Sequence, residues 1–247
     1  MAQLPRGKTY GAERGLKRFE GFTDAVFAIV LTLLIVEIKV PGSPDGPQGY
    51  SDLAKAIAEQ WRERISMILG QTAGLVAGGE TVYGVNTGFG LLASTRIPDE
   101  RLAELQTNLI LSHSAGLGEP LPRHVTRLMI VLKLLGLGRG HSGVRPLVIE
   151  ALQRLVDADA MPQIPSQGSV GASGDLAPLA HLIAALMGYG RIDIAGDILE
   201  AKAALERLGL EPLQLGPKEG LALINGTQAP TAQALDALFA GERVFAA

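Results

Sequence analysis

The stretch Gly168-Ser169-Val170-Gly171-Ala172-Ser173-Gly174-Asp175-Leu176-Ala177-Pro178 constrains this chain more than any other. Its small residues sustain neither helix nor strand, so 168–174 reads as a loop. Asp175 then reads as an N-cap, with Pro178 in the first turn of the helix that follows. The same residues also permit a covalent change. If the Gly174 nitrogen attacks the Ala172 carbonyl and water leaves, a five-membered imidazolone closes. Loss of the Ser173 hydroxyl as a second water leaves an exocyclic methylene. Gly174 suits the attack because it has no Cβ and tolerates unusual dihedrals. The product is a carbon electrophile, which no standard side chain supplies. At the level of the triplet both readings stand, loop-and-cap and electrophile, because short motifs recur by chance. A nucleophile elbow is excluded, since G-x-S-x-G needs Gly at 175, where Asp stands.

Composition removes other chemistries. The 247 residues carry a net charge of -3, which gives no nucleic-acid footprint. There is no cysteine, so disulfides and thiolate metal sites are out, and a reducing compartment fits. The four histidines, at 113, 124, 141 and 181, have no HExxH-like spacing, and no metal is expected. With 31 glycines, the chain has nearly double the usual share of about 7%. Many tight turns and close backbone approaches follow.

From Gly79 onward the apolar spacing is helical, and the fold class reads as mainly α. Pro98 opens a helix with Leu102, Leu105 and Leu109 on one face, ending before Gly116. His113 continues that face, as a buried hydrogen-bonded histidine or as a ligand contact. Further helices fit Arg123–Leu135, Pro146–Val156, Asp175–Met187 and Ile198–Leu208, with helical spacing again from Thr227. Arg191-Ile192-Asp193-Ile194 alternates like a short strand. The run Tyr83-Gly84-Val85-Asn86-Thr87-Gly88-Phe89-Gly90 is Gly-rich but lacks the residues of a phosphate cradle. It is either a structural turn or a loop that bares a tyrosine hydroxyl beside a ligand.

The first third differs in character. Ala25 to Val36 is apolar except for Thr32 and follows Arg6, Lys8, Arg14, Lys17 and Arg18. Twelve such residues are short for a membrane span, which takes about 20; the window 22–40 reaches that length but takes in Asp24, Glu37 and Lys39. Inserted, it would have a cytoplasmic N-terminus. No signal-peptide cleavage site follows. Arg18-Phe19-Glu20-Gly21-Phe22-Thr23-Asp24 with Ala25-Val26-Phe27-Ala28-Ile29 resembles the first transmembrane helix of the transmembrane protein 175 family of potassium channels, with Thr23 in place of a serine. One such helix cannot form that pore. Pro41–Gly49 reads as a linker, and Ser51 caps a helix with Leu53, Ile57, Trp61 and Ile65 in an apolar stripe. The expected organisation is therefore an apolar, channel-like helix with a basic flank over 1–45, a linker and amphipathic helix over 46–63, and a main domain over 64–247.

Tyr83–Gly90, Ser112-His113-Ser114-Ala115-Gly116, the run Gly168–His181 and Asn225-Gly226-Thr227-Gln228 occur in this order. Together they resemble the histidine ammonia-lyases of the aromatic amino acid ammonia-lyase family, over residues 64 to 247. The resemblance implies the N-terminal part of that family's helical fold. It also implies the cofactor 4-methylideneimidazole-5-one (MIO), made from Ala172, Ser173 and Gly174. In that family the substrate amino group adds to the MIO methylene, a base takes a β-proton, and elimination releases ammonia. By resemblance Tyr83 is the proposed base, Asn225 contacts prosthetic group and substrate, His113 meets the substrate imidazole, and Asp175 supports ring formation. Ser112-His113 matches the pair typical of histidine-specific members, where tyrosine- and phenylalanine-specific relatives tend to carry His-Leu and Phe-Leu. The implied reaction converts L-histidine to trans-urocanate and ammonia, in the cytoplasm.

Family subunits are much longer and assemble as homotetramers with sites shared between subunits. The sequence stops at Ala247, before the long central helices that carry the remaining site residues. The expectation is a histidine ammonia-lyase lineage with activity impaired by truncation. Its alternatives are an inactive fusion or fragment, or a protein held at a membrane through 22–40.

Overall fold

A computed structural model of the chain describes residues 81–89 and 93–246, with single positions at 68, 70, 73, 74 and 78. The chain divides into two compact units, Met1–Ser43 and Pro44–Ala247. The apolar run at 25–36, the window 22–40, the linker and the helix from Ser51 lie outside the described residues. Among the described residues no helix is long and apolar enough to cross a membrane.

The described part is mainly helical. Pro98 does open a helix, but the first turn, Asp99–Arg101, is 3-10, and helix α1 takes over at Leu102 and runs to His113. Its buried face is Leu102, Gln106, Leu109 and Ile110, with Leu105 only at the margin. The face is turned because the Gln106 Oε1 accepts the Gly220 amide at 2.8 Å. Strand β1, Leu117–Pro120, follows, then helix α2, Arg123–Gly138, which passes the expected end at Leu135 by three residues. Helix α3, Pro146–Asp157, has its proline in the first turn, where the missing amide costs nothing. Strands β2, Ala160–Pro162, and β3, Pro165–Gln167, lead to helix α4, Leu176–Leu186.

Beyond α4 the expected strand appears as β4, Arg191–Ile194, and it is followed by β5, Asp197–Glu200. The helix expected from Ile198 therefore begins only at Ala201, as α5, Ala201–Leu208. Ala195 and Gly196 at φ 53° and 98° make the two-residue turn of a hairpin, which claims Asp197–Glu200 for the sheet. Helix α6 is the short Glu219–Ile224, and α7 is Gln228–Ala246. The strands form two small antiparallel sheets, β1 with β3 and β2-β4-β5.

Helix α4 is the centre of the unit. It is apolar nearly all round, as a helix buried on every side must be, with Leu179, Leu182, Ile183 and Leu186 inaccessible to solvent. It packs against α1, α5, α6 and α7 and against β2 and β3. Its N-terminus follows the Gly168–Gly174 loop directly, so the loop runs straight into this buried helix.

Candidate functional site

The Ala172-Ser173-Gly174 triplet forms an exposed turn between β3 and α4. Asp175 occupies the N-cap position of α4 but makes no side-chain capping bond. Its buried carboxylate turns back instead: Oδ2 accepts the Ser169 hydroxyl at 2.5 Å and Oδ1 the Val170 amide at 2.9 Å. The Ser169 oxygen accepts the Gly171 amide at 3.3 Å. One carboxylate thus draws the start of the loop to its end, and the triplet bulges outward between them. Gly171 turns the chain at φ 64°, a conformation that suits glycine.

The loop is fastened to the end of α1. A Cβ on Gly168 would lie 3.0 Å from the Gly116 Cα, so two glycines let the backbones touch. The Gly116 amide donates to His181 Nε2 on α4 at 2.9 Å. His181 is therefore neutral and protonated at Nδ1, and burial pulls its pKa below the ordinary histidine value in the same sense. This crossing brings the last turn of α1 beside the triplet loop. There His113, half-buried, has Nδ1 2.8 Å from the Leu109 carbonyl and 3.2 Å from the Ser112 hydroxyl. A carbonyl only accepts, so Nδ1 carries a proton, and in the neutral ring Nε2 keeps its lone pair.

The Tyr83 loop is locked by its own polar groups. The buried Asn86 side chain accepts the Val82 amide at 2.8 Å, and its carbonyl accepts the Ile97 amide at 2.9 Å. Thr87 pairs with Arg96 in an isolated bridge. Tyr83 itself stays 55% exposed, its ring edge-on to Phe89 with centroids 6.0 Å apart. The loop is an ordered turn with its tyrosine ring exposed, a geometry that both readings of it share. Gly84, at φ +75°, lies so close to α6 that a Cβ there would come within 2.5 Å of Leu221 Cδ2.

Helix α6 joins these parts, and nearly every residue of it is held from outside. The buried Glu219 carboxylate accepts the Arg145 amide and Nε, each at 2.9 Å, and the Gly216 amide at 2.7 Å. The ion pair raises the Arg145 pKa further. Gly220 donates to Gln106, Leu221 packs on Gly84, and Lys133 Nζ donates to the Ala222 carbonyl at 2.9 Å. Asn225 follows at the C-cap, and its Oδ1 lies 3.4 Å from where a Cβ on Gly174 would stand.

Asn225 and the triplet are thus in direct proximity. The Tyr83 loop abuts α6 at Gly84 and Leu221, and the segment after His113 meets the triplet loop at Gly116 and Gly168. Lys133, His181, Gln106 and the Arg145–Glu219 pair were not singled out from sequence. Lys133 had a visible signal, a lone charge within the apolar run 128–137. Among the described residues no cluster of histidine and carboxylate side chains could hold a metal ion.

The family model described as Aromatic amino acid lyase matches residues 50–247, and that described as Endosomal/lysosomal potassium channel TMEM175 matches residues 18–71. The chain is 60% identical over 168 residues to the histidine ammonia-lyase of Paracidovorax citrulli, covering 68% of this chain and 33% of that protein. It is 56% identical over 174 residues to the histidine ammonia-lyase of Aliivibrio fischeri, covering 70% and 34%. Among solved structures, histidine ammonia-lyase from Trypanosoma cruzi superposes with a TM-score of 0.65 at 41% identity, over 72% of this chain and 34% of that one. The chain spans about a third of the length of the curated relatives it matches.

Proposed function

Because the chain belongs to the aromatic amino acid lyase family, we propose that it carries the electrophile-forming part of a histidine ammonia-lyase site, acting on L-histidine to give trans-urocanate and ammonia. The observation that carries this reading is Asn225 Oδ1 beside Gly174, on a loop whose two ends are drawn together by Asp175. The residues fit an MIO group: the triplet lies in an exposed turn, free of helix and sheet, and Gly174 faces the asparagine without a Cβ between them. When formed, MIO supplies an electrophilic carbon for the substrate's amino group.

The chain's own residues supply the surroundings. Helix α4 begins directly behind the triplet, and the positive end of its dipole favours negative charge there. Asn225 offers a carboxamide that can donate and accept beside Gly174. His113 presents Nε2 as an acceptor for the N–H of a substrate imidazole, because Nδ1–H is committed to Leu109. Tyr83 offers a phenol oxygen to take the β-proton.

The test is release of trans-urocanate from L-histidine by the purified chain, beside its Ser173→Ala variant. Urocanate from the wild type and none from the variant supports the reading. Urocanate from both overturns the electrophile, and none from either overturns the activity.

A further inference from the structure

Lys133 sits on α2 with only 2% of its surface exposed, among the buried Met129, Ile130, Leu134 and Leu137. Its Nζ donates to the Ala222 carbonyl at 2.9 Å and to the Asn225 carbonyl at 3.3 Å. Among the described residues no carboxylate pairs with it, and burial alone lowers its pKa to about 8. A buried, unpaired ammonium is costly, and a methionine or leucine would fill the same space without that cost. The charge is explained by what it holds. The carbonyls at a helix C-terminus lack partners within the helix and carry the negative end of its dipole, so a cation is the natural group to close them.

Helix α6 needs such a closure. Six residues make too few internal bonds to fix their own end. Its N-terminal half is held by Arg145, Gly216 and Gln106 and its middle by Gly84. Its C-terminal end meets Lys133. We propose that Lys133 is a positioning residue, which closes the end of α6 and so sets Asn225 against Gly174. The inference rests on the reading of Asn225 and the triplet given above, and it assigns Lys133 no contact with substrate.

Hydrogen exchange on the full chain tests it, read by mass spectrometry on peptides covering 219–228. In Lys133→Met, which is near lysine in length, exchange at Asn225 is expected to accelerate tenfold or more, on the order of one charge-assisted hydrogen bond. Glu219 and Gly220 should stay as protected as in the wild type. Lys133→Arg, which keeps charge and donors, should restore protection. If the methionine variant fails to fold, Lys133→Gln, with a neutral donor on a shorter stem, should show a smaller acceleration at the same amide. Unchanged exchange at Asn225, or acceleration spread evenly over α6, would overturn the proposal. Intact mass of the same samples reads ring closure, which removes two waters. Closure should fall in Lys133→Met and return in Lys133→Arg. A wild type that never closes the ring sinks the functional reading instead, while the exchange result still decides the role of Lys133.

Discussion

Lys133 should give the stability of this domain an alkaline slope that a single substitution removes. Its pKa is lowered from 10.5 to about 8 in the folded chain, and burial is the cause. Between those values the unfolded chain binds more protons than the folded one, so stability rises with pH across the window. Each unit is about 1.4 kcal/mol, which puts the full effect at about 3.5 kcal/mol. Between about pH 7 and about pH 10 roughly 2–3 kcal/mol of it should appear. The assay is urea unfolding of the wild type and Lys133→Met at both pH values. Taking the difference between the two chains cancels every other titrating group. The wild type should gain roughly 2–3 kcal/mol on the variant as pH rises. At neutral pH the variant loses two charge-assisted carbonyl contacts, each worth about 1.5–3 kcal/mol, but sheds the cost of the buried charge, so the two chains should lie within a few kcal/mol of each other. Parallel pH dependence in the two chains would refute the reasoning, because Lys133 would then titrate as it does in water.

The acid side should be governed in part by His181. Its folded pKa lies below the unfolded value of 6.5, so stability is lost as pH falls from there, when the unfolded chain takes up the proton first. His181→Gln should flatten that acid slope in the same unfolding assay. Gly84→Ala places a Cβ against Leu221 at a φ of +75°, and it should lower unfolding free energy by about 1–3 kcal/mol. Asp175→Ala leaves the Ser169 hydroxyl and Val170 amide without their acceptor, and it should abolish the two-water mass loss while α4 stays helical by circular dichroism.

The long helices were legible because their apolar spacing is that of one buried face, and Pro98, Pro146 and the glycines marked their ends. What escaped is what long-range packing decides. Strand β1, Leu-Gly-Glu-Pro, is exposed throughout and shows no alternation; its pairing follows from the Gly116–Gly168 approach. Strand β5 hid inside a stretch whose spacing also suits a helix, and the Ala195-Gly196 turn resolved the ambiguity. Gln106 reads as polar and is buried, because its partner Gly220 lies 114 residues away. Asp175 was rightly placed before α4, yet its side chain serves the preceding loop.

The candidate site was legible to the extent that its motifs are local. Gly168–Pro178 and the Tyr83 loop stand out by their glycine content, whereas Asn225 is marked only by the resemblance to the family; it does come beside Gly174. The residues that hold them together carry no such mark. Lys133 finds its acceptors 89 and 92 residues away, and His181 its donor 65 residues away, distances at which no spacing rule operates.

The proposed function depends on Ala172, Ser173 and Gly174 becoming an electrophile. Mass spectrometry of the proteolytic fragment containing Gly168–Pro178 tests it most directly, because it reads the covalent change whether or not turnover occurs. The wild-type fragment should be lighter than its sequence by two waters, and the Ser173→Ala fragment should never show this loss. A wild-type fragment at its full sequence mass would contradict it.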